Sequence, residues 1–163
     1  MNTTRRIFVF VILVLCAAAQ GAFAAEFRNA TWLMSKEEVV KSEPGLFVSE
    51  LNLPGQQQIV FRALVNGITA IITYILEDDK LISASYTFRR DLDRTAFDAM
   101  RKDLVGRNGD PAFEKENLAG WRLERSEIAL AHLRDSTTQV SFWEKSYFAR
   151  MNRLGETGGT AKN

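Results

Sequence analysis

The chain has 163 residues, 25% of them charged and 46% hydrophobic, with a formal net charge of +1. Residues 1–24, MNTTRRIFVFVILVLCAAAQGAFA, carry a basic start at Arg5 and Arg6, an apolar run and the small-x-small exit Ala22-Phe23-Ala24, which together make an export signal. Its removal takes away two arginines and no acid, leaving 19 basic against 20 acidic side chains, and without a basic excess a nucleic-acid role is disfavoured.

The apolar run is shorter than the about 20 residues that a membrane-crossing helix needs. No second such run follows, so cleavage after Ala24 or alternatively Ala25, no transmembrane segment in the mature chain and a periplasmic or secreted location are expected. Cys16 is the only cysteine and lies inside the signal, preceded by the bulky Leu15 where a lipoprotein peptidase takes a small residue, which argues against a lipid anchor. Beyond the signal there is thus no thiol and no disulfide. The remaining length suits one domain, residues 25–154, followed by a loose polar tail over 155–163.

In chain order, Trp32 and Met34 are apolar entry residues, and Ser35 with Glu38 has capping-box spacing for a helix over 36–43 that Pro44-Gly45 stops. A strand over 58–65 meets Asn66-Gly67, the strongest hairpin signal in the chain, and a β-branched strand over 68–76 follows. The acidic turn at 77–80 returns a third strand over 81–88, completing a meander with one wet face. Asp93 is placed to cap a helix over 94–105, whose Phe97, Met100 and Leu104 form one apolar stripe. Asn108-Gly109-Asp110-Pro111 ends it, 112–120 forms a polar connection, and Trp121 can open a further strand. Strands over 126–133 and 138–143 close the domain, and 147–154 fits either a last strand or a short helix. The expected fold class is α+β, an antiparallel sheet with two helices packed on one face. The order of elements admits a duplicated helix-plus-meander unit.

The stretch from Phe27 to Val39, F-R-N-A-T-W-L-M-S-K-E-E-V, resembles the opening of exported bacterial proteins with a fold like the β-lactamase inhibitory protein and the SmpA/OmlA envelope lipoproteins. Asp78 to Leu81, Asn108 to Pro111 and Thr138 to Phe142 extend the likeness in order along the chain. The resemblance implies a short helical element packed on a curved antiparallel sheet, and an envelope protein that works by contact; it brings no catalytic residues. Leu33 departs from the pattern, which has glycine there, and if that glycine holds a backbone conformation closed to leucine the local turn must differ.

Chemistry is otherwise sparse. His132 is the only histidine and, without cysteine, a poor nucleus for a transition-metal site. Glu77, Asp78 and Asp79 lack the spaced ligands of a calcium loop, and Glu37 and Glu38 are explained by a helix N-terminus. There is no G-x-S-x-G elbow and no phosphate-cradling loop. No enzyme, cofactor or metal is expected. Trp32 and Trp121 are assigned to the core. Trp143, Tyr147, Phe148 and Arg150 form the candidate partner surface, because tryptophan, tyrosine and arginine dominate protein contacts. The function expected is a non-catalytic protein of the periplasm or envelope that contacts an envelope protein or itself, with a small-ligand binding or sensing module as the alternative.

Overall fold

A computed structural model describes residues 26–158; the expected export signal and the last five residues of the chain lie outside the described residues. Helix α1 (Lys36–Ser42) precedes four strands, β1 (Leu46–Leu53), β2 (Gln56–Val65), β3 (Ile68–Glu77) and β4 (Lys80–Phe88). Helix α2 (Thr95–Asn108) precedes four more, β5 (Phe113–Lys115), β6 (Leu118–Arg122), β7 (Ser126–His132) and β8 (Thr138–Glu144), and α3 (Lys145–Gly158) follows. All eight strands join in one antiparallel sheet of order β1-β2-β3-β4-β8-β7-β6-β5. The molecule is therefore a mixed α/β protein dominated by its sheet. Among the described residues no helix is long and apolar enough to cross a membrane.

Turn chemistry sets the meander. Asn66 and Gly67 both take positive φ, 51° and 78°, the geometry whose twist suits a two-residue hairpin. Asp78 and Asp79 do the same at 50° and 57°, so the acidic run is a tight turn between β3 and β4. The capping box forms as its spacing dictates: the Glu38 amide donates to Ser35 Oγ, and the Ser35 amide donates to Glu38 Oε2 at 2.8 Å.

Leu33 holds φ +70°, a left-handed conformation that favours glycine. The backbone on either side explains why: the Leu33 amide donates to the Leu81 carbonyl and the Leu81 amide donates to the Met34 carbonyl, each at 2.9 Å. The leucine thus adopts a glycine-type turn that β4 imposes.

The core is continuous. Phe27 wedges between Tyr86, Phe142 and Tyr74, with ring centroids 4.6, 5.0 and 5.4 Å away. Val39 of α1 and Phe97, Met100 and Leu104 of α2 belong to the same buried cluster as Ile59, Ile72, Leu130 and Val140. Trp32 and Trp121 are buried as expected, and each indole N–H finds an acceptor at 2.9 Å, Ser126 Oγ and the Gly109 carbonyl. Glu43 is buried with its charge paired: Arg28 donates to both carboxylate oxygens at 2.8 and 3.1 Å, and the Tyr74 hydroxyl donates at 2.5 Å.

Several elements differ from the sequence expectation. The first meander has four strands, because β1 pairs with β2 through residues 46–53, to which no element is assigned from the sequence. Residues 112–120 are not one connection but hold β5 and the start of β6. Asp93 does not cap α2. Arg94 occupies the cap position at φ 60° without a side-chain bond, and Asp91 instead accepts the amides of Ala96 and Phe97 at 2.9 and 3.1 Å. Residues 147–154 resolve as helix, and α3 runs to Gly158, four residues into the expected tail.

Candidate partner-contact site

The site is built where β8 turns into α3. Glu144, the last residue of β8, folds its carboxylate back over the first turn of the helix, accepting from the Ser146 amide at 3.0 Å, the Ser146 hydroxyl at 2.5 Å and the Tyr147 amide at 2.8 Å. Burial opposes its ionisation, but the Ser146 and Tyr147 donors and the Arg125 charge outweigh that and hold the carboxyl below the usual range. The chain reverses at once, with the Lys145 amide tied to the Arg125 carbonyl at 3.1 Å and Lys145 Nζ to the Leu123 carbonyl at 3.0 Å.

That anchoring brings the four candidate residues together as two contacting pairs, Trp143 with Phe148 and Tyr147 with Arg150. The Trp143 and Phe148 rings meet at 5.3 Å between centroids. The Arg150 guanidinium lies 5.2 Å from the centre of the Tyr147 ring and forms an ion pair with Glu77 at the end of β3. The Tyr147 hydroxyl accepts from Gln56 Nε2 at 3.3 Å. Trp143, Tyr147 and Phe148 are half-buried and Arg150 is exposed, unlike Trp32 and Trp121, which are 4% and 2% exposed. A cleft of about 220 Å³ opens beside them, bounded by Lys80, Ile82, Glu77, Tyr147 and Arg150.

Gln56 and Glu77 also border the candidate site; Gln56 carries no signal in the sequence, and Glu77 stands out there only as part of the acidic turn. They lie 91 and 73 residues from the side chains they bond, and no local pattern couples positions so far apart. Met151 of α3, one turn beyond Tyr147, is also exposed; its spacing from Tyr147 was the available signal.

The other candidates find structural partners. His132 Nδ1 lies 2.9 Å from Thr138 Oγ1, and that hydroxyl donates to Asp91 at 2.5 Å, so the histidine sits against the group that caps α2. Asp79 accepts the Lys36 amide at 2.9 Å, joining the β3–β4 turn to the start of α1. Among the described residues no group of three or more His, Cys, Asp or Glu is placed to hold a metal ion.

Comparison with protein-family models, with curated proteins and with solved structures gives no match to this chain. The likeness stated for residues 27–39 rests on those residues alone.

Proposed function

We propose that this is an exported, non-catalytic protein of the periplasm or cell envelope that binds another envelope protein through Trp143, Tyr147, Phe148 and Arg150. One observation carries the reading: of the three tryptophans, two fill the core, while Trp143 stays half-exposed beside a phenylalanine, a tyrosine and an arginine. Aromatic side chains with arginine give large contact area for little conformational entropy, the composition of interface hot spots. Arg150 is held by Glu77, so part of the surface is ordered before a partner arrives.

The finer architecture supports this placement. Phe27, Val39 and the α2 stripe pack with Tyr74, Tyr86 and Phe142, whereas Trp143 is the strand neighbour of Phe142 and points the opposite way. In our reading α1 and α2 cover one face of the sheet and α3 lies on the other, beside the contact surface. We also read the chain as a duplicated unit: each half is a helix followed by a four-stranded meander, and the halves join through their last strands, β4 and β8.

The test is recovery of the tagged full-length protein from its native envelope under mild crosslinking, beside Trp143→Ala and Tyr147→Ala variants with unchanged circular dichroism. A partner whose recovery falls about tenfold or more in both variants supports the surface. Recovery unchanged in both overturns it, and a small molecule co-purifying in place of a protein moves the function to ligand binding.

A further inference from the structure

The two ends of the sheet are unlike. The β5 end is three residues long, with charges at Glu114 and Lys115, and Glu114 is paired with Arg101. The β1 end is eight residues long, every residue is exposed, and Leu46, Phe47, Val48, Leu51 and Leu53 are each about half exposed or more, between 48% and 61%. An open strand edge of that length and apolarity is a template for another strand, and natural sheets ordinarily blunt it with lysine, proline, shortness or a bulge; the bulge here, between Phe47 and Ser49, leaves Ser49 to Leu53 regular. Here the single charge, Glu50, is already neutralised by Lys36 Nζ at 2.6 Å.

The geometry of β1 points to a second copy of the same chain as its occupant, and we propose that two molecules pair antiparallel along β1 about a dyad at Leu51. The two-residue turn Pro54-Gly55 makes Leu53 and Gln56 a hydrogen-bonded pair, so alternation turns the backbone of Leu51 toward β2 and that of Glu50 and Asn52 to the open edge. A dyad at Leu51 sets Glu50 against Asn52 of the second copy, a carboxylate facing an amide, with their backbones exchanging hydrogen bonds and the two Leu51 side chains in contact on one face.

The two registers on the Leu46 side fail, and the crosslinking below separates Leu51 from the one on the other side, at Asn52. A dyad at Glu50 sets the two Glu50–Lys36 pairs like against like and loses the match of carboxylate to amide. A dyad at Ser49 runs into the bulge between Phe47 and Ser49. There Phe47 shares the face of Phe61 while Leu51 shares that of Gln58, so Phe47 and Leu51 cannot lie opposite each other. The pairing uses neither Trp143 nor α3 and is independent of the partner surface proposed above.

The experiment is the solution mass of the full chain by analytical ultracentrifugation from about 1 to 100 µM, together with oxidative crosslinking of Leu51→Cys and Asn52→Cys. Twin cysteines at 51 face each other across a non-hydrogen-bonded pair, about 4.5 Å between Cα atoms, within disulfide reach; those at 52 are diagonal, offset by two residues and about 7–8 Å apart, and are not. A concentration-dependent dimer that crosslinks through position 51, not through 52, and that Leu51→Lys weakens at least tenfold is the expected result. Leu64→Lys, an exposed change on β2 away from the edge, and Trp143→Ala are expected to leave the dimer intact. A monomer throughout the range overturns the proposal, as does a dimer that crosslinks at 52 in preference to 51 or is indifferent to Leu51→Lys. Because Trp143→Ala is carried in parallel, loss of partner capture and loss of dimer are read separately.

Discussion

At Leu33 a leucine occupies a left-handed backbone position, which costs an L-residue roughly 1–2 kcal/mol. Its side chain is 55% exposed and so recovers little of that by burial. Leu33→Gly is expected to raise stability by about 0.5–1 kcal/mol after the greater chain entropy of glycine is subtracted; the midpoint of denaturant unfolding measures it. Asp91 works in the opposite sense, stabilising the fold through its charge. Burial resists ionisation, but the Thr138 hydroxyl, the amides of Ala96 and Phe97 and the nearby His132 hold the carboxyl below the ordinary aspartate range. A depressed carboxylate contributes stability that is fully present above the unfolded value of about 3.9 and is lost as pH falls through the lower folded value. Asp91→Ala is expected to cost about 2–3 kcal/mol at pH 7. The gap between variant and wild type is expected to narrow in unfolding curves taken near pH 3.

At the scale of elements, α2 and α3 have equal length and different attachment. Phe97, Met100 and Leu104 of α2 are buried, each contributing about 1.5–3 kcal/mol of apolar burial. No residue of α3 from Lys145 to Arg153 is buried, and Trp143–Phe148 is its principal ring contact with the sheet. Amide hydrogen exchange is expected to be faster in α3 than in α2 by at least tenfold; equal protection would show that α3 is held more firmly than its burial indicates. This contrast also marks what could be read from sequence. The capping box at Ser35, the Asn66-Gly67 turn and the α2 stripe are local patterns, and each formed where its spacing put it. Strand β1 was missed because its apolar residues do not alternate: an edge strand exposed throughout has no buried face to impose a period of two, and a bulge shifts what remains. Asp91 was passed over for Asp93 because the positive φ at Arg94 rotates the entry to the helix, a feature invisible in residue type. Of the site, the aromatics and Arg150 were legible by composition. Gln56 and Glu77 were not, since only the paired strands bring them to α3.

For the whole molecule, the sheet order places β1 and β5 at its two ends, with β4 and β8 at the middle. The proposed partner capture through Trp143 and the proposed pairing through β1 are therefore separable, and a double variant carrying Trp143→Ala and Leu51→Lys is expected to lose both with additive effects, because the two positions share no neighbours. The β5 end bears on how far pairing can proceed. Phe113 lies opposite Gly120 and its ring fills the space above that glycine, so close that a Cβ there would meet it at 2.1 Å. That ring locks β5 onto β6, and the terminus so left is three residues long with charges at Glu114 and Lys115, too short and too charged to template a second chain. A monomer paired as proposed through one open end is monofunctional in the polymer chemist's sense: it couples once, and coupling consumes the end, so the proposed association through β1 stops at two chains and does not propagate into a fibre.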